Sequence, residues 1–353
     1  MPSKPDASAT DPRGLPVPPA PGPIGVRIIG TGSALPSRRL TNADLEGMMD
    51  TSDEWIVQRT GIRERRIVNR AGGESVYTLS TAALRAALAD AGLKPDDLDL
   101  VITATMTPEM ACPPTACRVL NEVGASRAGA FDLSAACCGF VFGLNTAHDL
   151  IRMGSYRTIA VIGADTLSKY MDYSTAGRAT SIIFGDGAGA AILQATPDST
   201  KGILAQAMHA DGPGWKDIYI PTCSYDFPPG VEPDPSKHNY VQMNGAQVFK
   251  FAVGTFPGLI AETLEKAGLR ADQVDMFVCH QSNARILHAA RERFNIPEDK
   301  LYINIDRVGN TVAASVPLCL DELRKAGRVH EGQIVMFVAF GGGLTWGSSL
   351  WRL

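Results

Sequence analysis

The chain has 353 residues, of which 45% are hydrophobic and 20% charged, and its formal net charge is −4 at pH 7. This is the composition of an ordinary globular protein, long enough for two domains or one large duplicated domain. The charge gives no reason to expect nucleic acid as a partner, and no membrane span is expected. Eight prolines and no apolar run in residues 1–24 predict a disordered tail rather than a signal peptide.

The cysteines bear on the cellular compartment and on metal binding. The chain has seven, an odd number, without a secretory signal, which predicts reduced thiols and a cytoplasmic protein. The sequence contains no CxxC pair, so we expect no zinc site and no other metal.

Three pairs of segments indicate an internal repeat. The clearest pair is LADAGLKPDDLDLVI at 88–102 and LEKAGLRADQVDMFV at 264–278, displaced by 176 residues. Two further pairs follow in the same order at nearly the same separation: AFDLSAA (130–136) with NIDRVGN (304–310), and TIAVIGA (158–164) with QIVMFVA (333–339). This spacing predicts two similar halves, at 25–199 and 200–353.

Each half is predicted to alternate helices with buried strands. The runs DLVITAT (99–105) and IVMFVAF (334–340) are apolar along nearly their whole length, as strands buried on both faces are. We therefore predict an α/β fold with mixed, largely parallel sheets covered by helices.

A thiol stands where a strand passes into a helix, in FDLSAACCGF (131–140). Residues 130–133 are predicted to form a short buried strand, and the apolar segment 139–151 an interior helix. A helix N-terminus favours thiolate and lowers the pKa of a cysteine, so Cys137 is a candidate nucleophile whose N–H would also serve an oxyanion. The alternative is a small core residue, because free cysteines are commonly buried and inert.

Other patterns exclude two classes of protein. GDGAGA (185–190) has the wrong spacing for a dinucleotide fingerprint, and the AIL after it predicts a strand rather than a helix. No GxSxG elbow is present, which counts against a serine hydrolase. The cysteines other than Cys137 are interpreted as packing residues, although Cys138 adjoins the candidate nucleophile.

The second half contains a long irregular segment. Residues 211–240 carry six prolines and interrupt the repeat. Segments of this length are usually functional lids or mobile loops.

A histidine follows the predicted strand MFV in CHQSN (279–283). His280 therefore stands at the C-terminal end of a strand, where open α/β sheets place ligand sites. It occupies the repeat position of Ala104, so a polar residue breaks the repeat there. A lone histidine can equally be structural.

Two glycine-containing segments complete the candidate site. NIDRVGNTVAAS (304–315) predicts a strand, a glycine turn and the start of a helix, with Asn310 nearly where Cys137 stands in the first half. As an alternative, Asn310 is simply a helix N-cap. FGGGLTWGSSL (340–350) places three glycines after a strand, where backbone can approach a ligand closely, although a structural turn would look the same.

The motifs together resemble one family. AACCGF, HQSNARI, DRVGNTVAAS, FGGGLTWGSSL and TSDEWIVQRTGIRER (51–65) are similar to the motifs of β-ketoacyl-acyl carrier protein synthase III, in order, from about residue 26 to 353. The resemblance implies a thiolase-like fold, with two duplicated αβ halves in a five-layer αβαβα sandwich, and a homodimer. It implies no cofactor, because coenzyme A thioesters are the substrates.

The resemblance assigns roles to four residues. Cys137 matches the acylated nucleophile, and His280 and Asn310 match the pair that receives the malonyl thioester. Gly342 matches the backbone donor that joins the Cys137 N–H in the oxyanion hole. The implied reaction transfers an acyl group from acyl-CoA to Cys137 and then condenses it, with decarboxylation, with malonyl-acyl carrier protein.

Further residues match binding positions of the family. Trp55 and Arg178 match the residues that sandwich the adenine of coenzyme A, and Arg59 and Thr60 match neighbours of its phosphate and ring.

The carrier-protein surface matches only in part. Lys250 and Arg285 match basic residues that receive the acidic acyl carrier protein, but a further basic position is Glu292 here, flanked by Arg291 and Arg293.

A second departure concerns the acyl pocket. Cys112 replaces an aromatic residue that, in some members, reaches across the dimer and closes the pocket. The smaller side chain predicts that primers longer or bulkier than acetyl are accepted.

Two other classes of function remain open at this point. One is a sibling enzyme on the same fold, such as a polyketide or quinolone starter synthase, a head-to-head acyl condensing enzyme or hydroxymethylglutaryl-CoA synthase. The other is a non-catalytic subunit that binds carrier protein, against which the joint presence of Cys137, His280 and Asn310 speaks.

Overall fold

The computed structural model describes residues 24–353, so the predicted tail, apart from Ile24, lies outside the described residues. The strands are β1 Gly25–Ala34, β2 Arg38–Thr41, β3 Glu64–Ile67, β4 Leu100–Ala104, β5 Gly129–Leu133, β6 Thr158–Thr166, β7 Asp186–Thr196, β8 Gly202–Ala210, β9 Ile218–Tyr219, β10 Gln242–Met243, β11 Met276–Cys279, β12 Ile334–Gly341 and β13 Thr345–Arg352. The α-helices are α1 Asn42–Glu46, α2 Asp53–Thr60, α3 Val76–Ala91, α4 Thr115–Val123, α5 Gly139–Arg152, α6 Arg178–Ser181, α7 Gly245–Ala267, α8 Ala284–Arg293, α9 Ile305–Val308 and α10 Ser315–Lys325.

The clearest sequence repeat is the end of a long helix followed by a buried strand of a large sheet. Gly92 ends α3 and Gly268 ends α7, and both take the left-handed conformation, with φ of 66° and 65°. Each glycine N–H is bonded to carbonyls of the last helical turn. Only glycine adopts this conformation without steric cost, so the AGL triplets fix where both helices stop.

The two large sheets have the same strand order. The first is β1-β7-β6-β4-β5 and the second is β8-β13-β12-β11. An isolated parallel bridge between Leu301 and Phe277 stands in the second sheet where β5 stands in the first. The duplication predicted from the sequence is therefore confirmed.

Strand direction differs from the prediction. β4 is parallel to β5 and β6, and β11 is parallel to β12, but the other pairs of the large sheets are antiparallel. The prediction of largely parallel sheets was wrong, because a continuous apolar run reports burial on both faces and not strand direction.

Sheets and helices stack in five layers. Helices α3 and α4 cover the outer face of the first sheet around Leu84 and Val119. Helices α5 and α10 lie between the two sheets, with Phe140 in the shared core. Helices α7 and α8 cover the outer face of the second sheet around Phe256 and Leu287. The αβαβα order implied by the family resemblance is thus confirmed.

Strand β5 is an edge strand rather than the buried strand that was predicted. It pairs only with β4 in the described part of the chain, and Phe131 is 37% exposed. The interior helix predicted after it is confirmed as α5.

The segment before Asn310 is also corrected. Ile305–Val308 forms the short helix α9 instead of the predicted strand. The residues that correspond between the two halves are Ala136 and Val312. Both have positive φ (45° and 54°), and they are again 176 residues apart. Asn310 lies two residues before this point and Cys137 one residue after it, so the two hold neighbouring but different positions.

The proline-rich segment 211–240 is largely irregular, as predicted. Its strand β9 pairs with β10, which lies just after the segment, and short 3-10 turns occupy part of the rest. No helix among residues 24–353 has the length and apolarity needed to cross a membrane. The same residues hold no group of three or more metal-ligating side chains.

Candidate active site

Cys137, His280 and Asn310 line one cavity of about 110 Å³, and all three are buried. Cys137 lies in the 3-10 turn Ala136–Cys138, which leads into α5. His280 directly follows β11, and Asn310 lies between α9 and α10. The structure therefore brings together, from both halves, the three residues that the sequence singled out.

Gly341 and Gly342 form the wall behind the Cys137 sulphur. A Cβ atom on Gly341 would lie 2.6 Å from the Cys137 Cβ and 2.8 Å from its Sγ, so this position has no room for a side chain. The backbone N–H groups of Gly342 and of Cys137 itself lie near enough to the sulphur to lower the pKa of the thiol. Two backbone N–H groups beside a nucleophile can serve as an oxyanion hole.

The acidity of the thiol differs from the prediction. Burial raises the pKa of Cys137, and the nearby Asp165 carboxylate raises it further, while the N–H groups of Gly342 and Cys137 lower it in part. The turn does supply donors at the sulphur, but the loss of water around a thiolate outweighs them. Of the two adjacent thiols, Cys137 lines the cavity, whereas Cys138 is fully buried in the core between the sheets.

His280 is held as a neutral imidazole. Burial lowers its pKa to about 3, and the ring packs edge-on against Phe340 at a centroid distance of 5.7 Å. Among the described residues, Nδ1 has no hydrogen-bond partner. A proton on Nδ1 would be left unpaired, so the tautomer with the proton on Nε2 is favoured, and the ring can act as a neutral donor.

Asn310 has a fixed amide orientation. Its Oδ1 accepts a hydrogen bond from the Val312 N–H at 2.9 Å, which leaves Nδ2 as the free donor. The Asn310 backbone is bonded to Ile183 and Gly185 of the first half, at 3.0 and 2.9 Å. Asn310 thus provides an N–H donor whose side chain is oriented by the second half and whose backbone is bonded to the first half.

A second cavity, of about 280 Å³, adjoins the first at Cys137 and Gly342. Its walls are mainly apolar and come from both halves and from the 211–240 segment: Met106, Leu167, Phe184, Ile218, Ile220, Val241 and Val312. An apolar chamber that ends at a thiol can hold an acyl chain.

Two guanidinium groups lie against the Trp55 ring. Arg59 Cζ is 4.5 Å and Arg178 Cζ 4.8 Å from the ring centroid. Arg178 also donates a hydrogen bond to the Asp50 carbonyl. Thr60 is buried, and its hydroxyl is bonded to the backbone of its own helix, so this predicted contact does not face the surface.

The predicted docking residues lie at the surface. Lys250 and Arg285 are exposed, and Arg285 Cζ lies 5.3 Å from the centre of the Phe249 ring, which lines the catalytic cavity. Glu292 is exposed beside Arg291, whose guanidinium forms a salt bridge with Glu298 at 3.2 Å.

Cys112 is exposed and lines neither of the two cavities of its own chain. A role for it at the acyl pocket therefore requires a second copy of the chain.

Known proteins resemble this chain over nearly all of its described length. Two models of the 3-oxoacyl-[acyl-carrier-protein] synthase III family match, one over residues 131–212 and the C-terminal one over 264–353. A β-ketoacyl-[acyl-carrier-protein] synthase III of Caldanaerobacter subterraneus subsp. tengcongensis is 47% identical over 327 residues, which are 93% of this chain and 97% of that protein. The chain belongs to the β-ketoacyl-[acyl-carrier-protein] synthase III family. It is an acyltransferase of the condensation that initiates fatty acid synthesis, with acyl-CoA and malonyl-acyl carrier protein as the substrates that the family implies.

Solved structures agree with this membership. The synthase III of Aquifex aeolicus VF5 superposes with a TM-score of 0.85 at 42% identity and covers 93% of this chain and all of that one. The thiolase-like fold is therefore shown. A priming β-ketosynthase of the R1128 polyketide pathway has the same TM-score at 36% identity, covering 96% of this chain and 98% of that one.

Sequence reasoning missed several residues of this synthase site. Asp165 ends the strand TIAVIGAD and gave no signal beyond that of a polar residue at a strand end. The acyl-cavity residues are apolar side chains scattered along the chain, without common spacing. Gly341 stood inside the noted glycine triplet, but only the structure distinguishes it from Gly342.

Proposed function

We propose that Cys137 carries the acyl group and that His280 and Asn310 bind the malonyl thioester during decarboxylation. One observation supports this most: Cys137, His280, Asn310 and Gly342 line the same cavity, so the sulphur shares its walls with two neutral side-chain donors. Donors without a transferable charge suit the stabilisation of an enolate, because they do not protonate it.

The reaction then has two half-reactions. In the first, the Cys137 sulphur attacks the acyl-CoA carbonyl, the bond to the coenzyme sulphur breaks, and free coenzyme A leaves with the thiol proton. The tetrahedral oxyanion is stabilised by the N–H groups of Cys137 and Gly342. Because burial raises the pKa of Cys137, the resting sulphur is a thiol, and its proton is transferred during this half-reaction.

In the second half-reaction, malonyl-acyl carrier protein loses carbon dioxide. The electron pair of the broken bond becomes an enolate, whose oxygen accepts from His280 Nε2 and Asn310 Nδ2. The enolate carbon attacks the acyl-Cys137 carbonyl, the bond from that carbonyl to the sulphur breaks, the 3-oxoacyl product leaves on the carrier protein, and the sulphur takes a proton from water. Removal of either donor is expected to slow this half-reaction on the order of 10²–10³-fold.

The coenzyme is proposed to enter beside Trp55. An adenine ring would stack between Trp55 and Arg178, which now contact each other and must separate to admit it. Arg59 is placed to meet a phosphate at the same entrance.

The carrier protein is proposed to dock over α7 and α8. Lys250 and Arg285 would meet its acidic surface, and Phe249, beneath Arg285, would guide the thioester arm to the cavity. Glu292 would weaken this attraction locally.

We further propose a homodimer formed through β5. This strand leaves one edge unpaired, and Phe131, Met110, Cys112 and Cys117 are exposed around it. In such a dimer, Cys112 would reach the acyl cavity of the partner subunit. The cytoplasm is proposed as the compartment, because all seven cysteines are free.

Mass spectrometry of the acyl-enzyme tests the central proposal. Incubation with mixed acyl-CoAs should add one acyl group to Cys137 and protect it from iodoacetamide. Cys137→Ala should abolish acylation, whereas Cys138→Ala should retain it. An acyl group on another residue, or none, contradicts the proposal.

A starter synthase of a secondary pathway is the second candidate, favoured by the likeness to the R1128 priming ketosynthase. Growth of a deletion strain separates the two. A requirement for exogenous fatty acids supports fatty acid initiation, and normal growth supports the second candidate.

A further inference from the structure

Asp165 is a buried carboxylate directly beneath the candidate site. It is the penultimate residue of β6, has no exposed surface, and is close enough to Cys137 to raise the pKa of the thiol. None of the roles assigned so far uses it.

Its two oxygens have different partners. Oδ1 accepts from the Met106 N–H at 2.9 Å and from the hydroxyls of Thr105 and Thr107 at 3.2 and 2.9 Å. Oδ2 accepts from the Ala313 N–H at 3.1 Å. One oxygen therefore holds the first half, where Met106 lines the acyl cavity, and the other holds the second half.

The Ala313 contact leads directly to Asn310. Ala313 follows Val312, whose N–H fixes the Asn310 Oδ1 and whose φ of 54° is unfavourable for a β-branched residue. Such a conformation persists only where its surroundings hold it in place. The Asp165 bond to the next N–H is one of these supports.

We propose that Asp165 is a positioning residue for the second half-reaction, which it serves by holding the Val312–Ala313 turn so that Asn310 Nδ2 points at the malonyl thioester. This inference rests on the proposed role of Asn310. Burial raises the pKa of Asp165 to about 6, so the carboxylate is mainly ionised at neutral pH.

The Asp165→Asn variant distinguishes the hydrogen bonds of one carboxylate oxygen from those of the other. The amide can keep its one oxygen on the three donors of the first half, which places its NH₂ against the Ala313 N–H. The Ala313 contact then becomes a donor–donor contact, while the hydrogen bonds to Thr105, Met106 and Thr107 are preserved. Removal of the negative charge also eliminates one cause of the raised Cys137 pKa, so the acylation step is not slowed.

Asp186 provides a matched control. It is also fully buried, burial likewise raises its pKa to about 6, and its oxygens accept from Ser168 and Val68. None of its partners lines either cavity. Asp186→Asn therefore reports the general cost of neutralising a buried carboxylate in this sheet.

Both half-reactions are measured in single turnovers: acylation of Cys137 by acyl-CoA, and 3-oxoacyl product formation when acyl-enzyme meets malonyl-acyl carrier protein. Asp165→Asn should slow condensation about 10- to 100-fold, less than loss of the donor itself. Acylation should stay within about threefold, because the first-half hydrogen bonds remain. Asp186→Asn should give no such difference between the steps.

A double-mutant cycle with Asn310→Ala tests the route of the effect. If Asp165 acts through Asn310, Asp165→Asn should add no further loss of condensation in the Asn310→Ala background. Equal slowing of both half-reactions, an unchanged condensation rate, or an additive loss would overturn the inference. Condensation at full speed in Asn310→Ala alone would instead overturn the proposed function.

Asp165→Glu covers the case in which the amide variant does not fold. Its carboxylate is displaced by one methylene, so it should slow condensation more than acylation. A glutamate variant with both rates unchanged contradicts the inference.

Discussion

Gly341 lies so close to Cys137 that a side chain on it would overlap the thiol: a Cβ on the glycine would stand 2.8 Å from the sulphur. The absence of a side chain at Gly341 therefore sets the position of the thiol. It also lets the chain reach Gly342 with its N–H on the same sulphur.

The Gly341→Ala variant should lose acylation. The added methyl must displace the sulphur or the Gly342 N–H, so we expect a loss on the order of 10² in the single-turnover rate of Cys137 acylation. Gly254→Ala is the control, because nothing lies within 4 Å of a Cβ at that helical position. It should keep the rate and slightly raise the thermal midpoint. Normal acylation of Cys137 in the Gly341→Ala variant would disprove the interpretation that a side chain at position 341 displaces the sulphur or the Gly342 N–H.

The Trp55→Ala variant should distinguish recognition of the coenzyme from chemistry. Stacking at Trp55 serves only a donor that carries adenine, so KM for acyl-CoA should rise about tenfold or more. The rate with the N-acetylcysteamine thioester of the same acyl group, which lacks adenine, should not change. Trp215, 41% exposed in the 211–240 segment, supplies the control Trp215→Ala. Equal losses with both donors would place Trp55 in the chemistry or in folding instead.

The acyl cavity of about 280 Å³ predicts primers longer than acetyl. Competition among acetyl-CoA and C4–C12 acyl-CoAs, read by the mass of the acyl-enzyme, should favour the longer chains. Cys112→Phe should shift the preference toward acetyl, because the larger ring would fill the partner subunit's cavity. Cys223→Phe, at another exposed cysteine, should have no effect. Strict acetyl preference of the unmodified protein would refute the prediction.

His148 should make the fold sensitive to acid. Burial lowers its pKa below 6.5, and its Nε2 accepts the Ile203 N–H at 3.1 Å. A histidine with a lowered folded-state pKa contributes stability above its unfolded pKa and loses it as pH falls through about 6.5. Urea unfolding at pH 8 and pH 5 should show a smaller loss for His148→Gln than for the unmodified protein. Identical losses would show that His148 does not titrate on unfolding.

The sequence identified the reacting side chains better than it described their surroundings. Cys137 was found at a strand-to-helix junction, His280 where a polar residue interrupts the repeat, and Asn310 near the repeat position of Cys137, and the family motifs then assigned their roles. The direction of the Cys137 pKa shift was predicted wrongly, because a helix N-terminus is visible in sequence while desolvation depends on what the fold packs around the sulphur.

Asp165 could not be identified from the sequence as a residue of the site, for a related reason. Its four donors come from two segments on opposite sides of it along the chain, 59 residues away at Met106 and 148 residues away at Ala313, and no local pattern links them. Strand β5 was predicted to be buried because Ala130, Phe131 and Leu133 are apolar, and the sequence does not distinguish an apolar edge strand from a core strand.

Asn310 belongs to the second half by sequence, yet its backbone is joined to the first half at Ile183 and Gly185. The turnover rate therefore depends on the correct packing of the two halves against each other, and not only on the folding of each half. If the two halves separated, coenzyme A could still bind at the proposed site beside Trp55, but malonyl-acyl carrier protein would not be decarboxylated. Loss of condensation should thus precede any loss of secondary structure on heating.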